Sequence, residues 1–484
     1  MPVNNALRSD AEVFMQWAAI ILPDLALDAI RRSGADAKAP IALIQGPPQR
    51  RIIQSCTSCA AHAGIRAGQS VAAARALLPN LVALDDDPKR TDALRDLLVA
   101  WAYSYSGDVA LLSNDAFVLE VGGSLGLFGP WPDFERRLRS DLSELGVTHR
   151  IALAPLPRAA CVFAACRDGF GVTGDAAMRQ ALRRIPLAQS RLPDEAIVLL
   201  ASMGLRRLGE VIDLPRAGLA RRCGEAFVEA LDRLLGAIPD PLPRYRPPDR
   251  FEAKFEFDAE IRSLEGLQFP LRRLIADLCL FLAARDGGVD CIEIGFGHDE
   301  RAPTSITLRS PAPERDAAQW FGMVRLRLER LSLPAPVAAV HLLARELPPF
   351  VPIARSLFDA AATASLTWPQ LVARLQARLG DGAVKTYLPA ADHRPECAFT
   401  SDEFASSRIL TGPRPLWLLP RPMPLRDRAP KILAGPERIE SGWWDGREAN
   451  RDYYVLQTSV GQKAWAFRPA GAQDGPWLLH GWFA

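Results

Sequence analysis

The stretch "LLSNDAFVLEVGGSLGLFG", Leu111 to Gly129, sets an acidic residue, Asp115, at the head of an apolar run that reads as a strand and closes in glycines. Metal-dependent enzymes present carboxylates to divalent ions in this way, because hard cations take oxygen ligands. The residue that follows is Ala116, so the carboxylate has no acidic neighbour. Whether Asp115 finds partners depends on the rest of the chain.

Working outward, "QWAAIILPDLALDAIRRSG" is a short apolar run broken at Pro23 and followed by a helical pattern, and "PIALIQG" is a second strand. The segment from Gln49 to Asp87 reads as strand, small-residue helix, glycine turn, second helix and strand. A helix over Pro88 to Tyr105, the opening strand, the helix "WPDFERRLRSDLSELG" and the strand "HRIALAP" complete an α/β layer up to about residue 170.

Beyond it the pattern turns helical. In "MGLRRLGEV", Gly204, Leu205 and Gly209 mark a helix-hairpin-helix turn, whose backbone N–H groups suit a DNA phosphate; an ordinary helical hairpin fits equally well. A proline-rich linker then leads into the order β-α-β-β-α-β, a split βαβ domain with one sheet face free. Arg246, Lys254 and Arg309 are candidates to line that face for DNA, or to be a solvated surface. From about Phe350 the chain is tryptophan-rich and ends in a β-meander, where clustered indoles build either a small core or a binding patch.

With 484 residues the chain needs several cores. A net charge of +2 makes no general demand for nucleic acid, although 58 Lys plus Arg leave room for local basic faces. No apolar run is long enough to span a bilayer and the start does not read as a signal peptide, which places the chain in the cytoplasm. Cys56 and Cys59 in "SCTSC" have metal-knuckle spacing, but no second pair follows, so they are read as buried small hydrophobes and no metal is expected.

This order resembles the Y-family translesion DNA polymerases. The implied fold is multidomain α+β: a right hand of palm, fingers, helix-hairpin-helix thumb and βαββαβ little finger, plus a Trp-rich C-terminal domain. The matching boundaries are 1–45 and 86–170 for the palm, 46–85 for the fingers, 171–240 for the thumb and 241–349 for the little finger. A linker over 350–365 and a C-terminal domain over 366–484 follow. The tail strings "ADHRPE", "RPLWLL", "GPERIESGWWDG", "RDYYV" and "LHGWFA" narrow the likeness to the polymerase-like subunit of a bacterial mutagenesis complex.

Active members of the family are implied to hold two magnesium ions on three carboxylates. The corresponding positions here are Leu22, Asp115 and Ala116, so one carboxylate survives. The triphosphate-gripping positions fall on Ser58 and Ala61, and the palm lysine on Pro157. The resemblance therefore implies no polymerisation and no cofactor; a weakly active enzyme would need Asp24 or Glu120 as a substitute ligand, and strand alternation turns Glu120 away from Asp115. It also implies SOS-linked partners: primed or damaged DNA, the β sliding clamp, a RecA-like accessory protein and an error-prone C-family polymerase. The clamp peptide falls on "PIARSLFDAA", which keeps Leu357 and Phe358 but has Ala354 and Arg355 where Gln and Leu are expected; the same pair also suits a helix cap or a local core.

Overall fold

The structure, a computed structural model, describes residues 15–34, 39–299, 301–352, 367–380, 382, 384–385, 387–400, 414–415, 417–427 and 429–483. It divides into two compact units at Arg378/Leu379.

At the centre of the first unit lies a five-stranded sheet with Trp17–Ile21 in the middle, antiparallel to both Ala116–Glu120 and Arg150–Ala154. Its strands are buried on both faces. Ile20, Leu22, Phe117, Leu119, Ile151 and Leu153 face the helices Pro88–Ala102 and Trp131–Glu144. Between those helices, Asp141 accepts from the Trp101 indole at 3.0 Å and the Tyr105 hydroxyl at 2.5 Å. The opposite face carries Ile21 and Val118 among smaller side chains, Ala19, Ala110, Ala116, Ala152 and Ala154, which let the alanine-rich helix Pro157–Cys166 lie close against the sheet.

Two local differences from the sequence reading follow from turn chemistry and from pairing. The stretch at 111–129 is not one strand: Val109–Ser113 and Ala116–Glu120 form a hairpin, turning at Asn114 and Asp115, residue types that favour turns. The glycines after it form a 3-10 turn, Gly122–Ser124, and a short helix, Leu125–Phe128. The strand Ile41–Gln45, grouped above with the palm, belongs instead to a separate three-stranded sheet with Ile52–Cys56 and Val82–Asp85. The helix Leu25–Arg32 joins the two, giving Leu25 and Ala29 to one core and Leu27 and Ile30 to the other.

Residues 175–235 are helical and share the core of the alanine face. Gly209 lies in the first turn of the helix Leu208–Ile212, and a Cβ there would stand 2.7 Å from the Arg183 carbonyl oxygen. The β-α-β-β-α-β order is present as expected: a four-stranded antiparallel sheet with Gln268–Ala284 and Ala317–Leu328 packed on one face. The helix Trp368–Leu379, expected with the C-terminal domain, buries Ala373 and Ala377 in this same core. Gln370 Nε2 donates to Glu314 Oε2 at 3.3 Å there, so the helix closes the first unit. Asp277, on Gln268–Ala284, is tied to Arg32 at 2.7 Å across the junction with the first helix. Among the described residues no helix is long and apolar enough to cross a membrane.

The second unit is a five-stranded antiparallel sheet whose last three strands in sequence are neighbours, the expected meander. Its tryptophans divide. Trp465 is buried, stacked 4.1 Å from Tyr453, while Trp443 and Trp444 are exposed.

Two outcomes follow. Gly209→Ala forces a methyl into the Arg183 backbone and should destabilise the first unit by about 1–3 kcal/mol, read from a denaturant midpoint. Burial pushes the Asp277 carboxyl up to about 6 against the pull of Arg32. The folded chain thus holds this proton more tightly than an unfolded one, and that contribution to stability is lost as pH rises through about 6. Relative to Asp277→Asn, the wild-type melting temperature should fall between about pH 4 and about pH 6 and level off above that.

Candidate functional site

The three positions where the resemblance places metal ligands do come together. Ala116 pairs with Ile21, and the Leu22 N–H donates to the Asp115 carbonyl at 2.8 Å, so all three sit at one end of the first sheet. Two of them face inward. Leu22 is packed in the core beneath the helices Pro88–Ala102 and Trp131–Glu144, and Ala116 in the alanine face beneath Pro157–Cys166.

Asp115 alone reaches solvent, and its carboxylate is already engaged. Arg191 grips it with two bonds, Nη2 to Oδ1 at 2.5 Å and Nη1 to Oδ2 at 3.2 Å. Ser113 Oγ donates to Oδ1 at 2.6 Å and accepts from Arg191 Nη2 at 2.8 Å. Burial alone would raise the carboxyl's pKa; the bonds from Arg191 and Ser113 outweigh it and hold the group below its ordinary value. Arg191 adopts φ +53, a left-handed backbone conformation that costs a side-chain-bearing residue roughly 1–2 kcal/mol. No local pattern marks this arginine in the sequence; its partner lies 76 residues away and its conformation is one usually given to glycine.

Of the two substitute ligands, Glu120 is already occupied and Asp24 is not. Glu120 accepts from Gly122 N at 2.8 Å, Gly123 N at 3.2 Å and Gln16 N at 3.2 Å, closing the 3-10 turn at the other end of its strand. Asp24 precedes the helix Leu25–Arg32 without a side-chain cap bond. A divalent ion needs several oxygen donors, and two ions need bridging ones. One carboxylate carrying a bidentate guanidinium, flanked by a leucine and an alanine, does not supply them. Among the described residues no group of three or more His, Cys, Asp or Glu is placed to hold a metal ion.

Of the triphosphate-gripping positions, Ser58 is exposed at the first turn of a five-residue helix and Ala61 lies on the same helix without a polar atom. Pro157 begins the helix Pro157–Cys166. The cation beside it, Arg158, is taken by Asp240 in two bonds, at 2.7 and 3.0 Å. Cys59 is exposed rather than buried, at the start of a helix that gives it little cover, and Cys56 is half-buried.

The helical turn at 203–207 differs from a phosphate cradle. Gly204 N donates to Ala201 O, Leu205 N to Leu200 O and Leu208 N to Ile185 O. Glu210 takes the N–H groups of Arg206 and Arg207 at 2.7 and 3.1 Å. These donors are satisfied within the chain, and Gly209 is a packing glycine. On the four-stranded sheet, Lys254 and Arg309 do lie on the uncovered face. Lys254 is paired with Glu256, His341 bonds Glu252 at 3.1 Å and Arg345 pairs with Glu293 at 3.3 Å. Arg309 has no ion pair among the described residues. Arg246 is exposed in the segment before the sheet. Leu357 and Phe358 lie outside the described residues.

In the second unit, the "ADHRPE" and "GWWDG" strings meet. Arg394 binds Asp392 at 2.6 Å and Asp445 at 2.7 Å, and its guanidinium lies 5.8 Å from the Trp444 ring. A Cβ on Gly442, at φ +80, would stand 2.5 Å from both Arg394 Nη1 and the Arg447 carbonyl. The loop is thereby fixed with both indoles outward, 77% and 62% exposed, large aromatic surface of the kind that anchors protein interfaces.

Residues 31–165 match the impB/mucB/samB family. Protein ImuB of Caulobacter vibrioides, in strain NA1000 / CB15N and in strain ATCC 19089 / CIP 103742 / CB 15, is 31% identical over 457 residues, covering 87% of this chain and 100% of that protein. Among solved structures, DinB from Sulfolobus solfataricus and an insertion ternary complex of Dbh DNA polymerase each align at 12% identity with a TM-score of 0.41, over 69% of this chain and 100% of theirs. On the strength of the full-length relatives, the chain belongs to the ImuB family.

Proposed function

We propose that this chain is a non-catalytic, Y-family polymerase-like adaptor of SOS-induced translesion synthesis and mutagenesis. In this reading the first sheet is a palm, residues 46–85 fingers, residues 171–240 a thumb and the four-stranded module a little finger. The adaptor binds primed or damaged DNA, the β sliding clamp, a RecA-like accessory protein and an error-prone C-family polymerase, and leaves the chemistry to that polymerase. One observation carries the reading. In a chain of this family, the place expected to hold two metal ions contains buried Leu22, buried Ala116 and an Asp115 neutralised by Arg191. Without the cations, neither the triphosphate charge nor the primer hydroxyl is activated.

DNA contact in this reading falls to side chains rather than to the turn at Gly204, Leu205 and Gly209, with Arg309, Arg246 and Lys254 as candidates. The exposed Trp443 and Trp444 are suited to a protein partner. The competing reading, a weakly active polymerase, draws on the survival of Asp115 and on Asp24, whose side chain makes no cap bond; Glu120 is not available to it, being occupied by three backbone N–H groups.

Purified protein should leave a primed template unextended in Mg²⁺ or Mn²⁺; extension abolished by Asp115→Ala would overturn the adaptor reading. Affinity for the same primed DNA should fall steeply with salt, and Arg309→Ala should flatten that dependence by about one phosphate contact in a fluorescence-anisotropy titration. In a pull-down with β clamp, Leu357→Ala/Phe358→Ala should lower retention at least about tenfold. Undiminished retention would remove "SLF" as the anchor.

A further inference from the structure

The carboxylate that a metal would require is instead bonded across the molecule, and we propose that Asp115 is a positioning residue that holds the 190–193 loop through Arg191. The loop connects the 3-10 turn Leu187–Gln189 to the helix Asp194–Ser202, and Asp115 sits on the hairpin of the first sheet. Leu187 and Leu192 anchor the loop's flanks in the core shared with the alanine face. Between them the chain turns through the left-handed conformation of Arg191, which brings the guanidinium onto the carboxylate.

Three features show that the contact is built rather than incidental. The pair is bidentate, so it fixes direction as well as distance, which a single contact between flexible side chains does not. Ser113 bonds both members, at 2.6 Å to Asp115 and 2.8 Å to Arg191, and so holds the fork in register. Asp115 is itself held from below, its carbonyl accepting the Leu22 N–H at 2.8 Å. The load thus passes from the central strand through the hairpin turn to the loop.

The loop also forms one wall of a cleft of about 560 Å³, lined by Leu112 of the sheet, Cys161 of the helix Pro157–Cys166, and Ser190, Arg191 and Ile197. Ser190 Oγ is buried there with no hydrogen-bond partner among the described residues. A loop left to hydrophobic anchoring alone would be free to turn Arg191 to solvent, its lower-strain arrangement. The carboxylate removes that freedom. The inference rests on the adaptor reading in one respect: an Asp115 occupied by Arg191 is not serving a metal ion.

Hydrogen exchange of the 187–193 segment in the full chain tests it. Asp115→Asn and Arg191→Gly should each speed exchange there by about tenfold, and the double variant should be no faster than either single, since both remove one interaction. Arg191→Gly accommodates the backbone conformation, so loss of the guanidinium is separated from backbone strain. The exchanged pair Asp115→Arg/Arg191→Asp should restore protection, a rescue that a purely packing role would not give. Exchange unchanged in both single variants, with far-UV circular dichroism intact, overturns the proposal. Primer extension by the wild type, by contrast, would overturn the adaptor reading and leave these exchange outcomes standing.

Discussion

The approach of an alanine-rich helix to an alanine-faced sheet governs the first unit. Ala19, Ala116, Ala152 and Ala154 present a flat surface, and Ala159, Ala160 and Ala164 of the helix Pro157–Cys166 settle on it. Larger side chains on either partner would lift the helix and open the core shared with residues 175–235. The composition of one place in the candidate site, Ala116, is therefore also a packing requirement.

Much of the architecture was legible in the sequence because it is written in local periodicity. The alternation of strands and helices over residues 17–166, the β-α-β-β-α-β module and the terminal meander all come from apolar runs of period near 2 or 3.6 between turn residues. Pairing is not local, and there the reading erred. Nothing in "PIALIQG" states that it joins the strands at 52–56 and 82–85 rather than Trp17–Ile21, or that the helix Trp368–Leu379 packs backwards onto the module. The hairpin at Asn114 and Asp115 was hidden because both arms are apolar.

At the candidate site the sequence told which residue types stand together but not what they do. The resemblance set Leu22, Asp115 and Ala116 side by side, and the structure has them at one end of the first sheet. Arg191 was invisible: an arginine in a short loop is ordinary, and only the tertiary structure delivers it to Asp115. The helix-hairpin-helix signal is of another kind. Glycine spacing marks a turn, but whether its N–H groups face solvent depends on Glu210, three residues past Arg207, which claims two of them.

The burial of Leu22 and Ala116 limits what these two places can hold. Each is less than 2% exposed, in a different core on opposite faces of the same sheet. Placing carboxylates at both would put two uncompensated charges into packed apolar layers, and Arg191 would still hold Asp115. The packing of the fold, rather than any one neighbour, keeps these two places apolar.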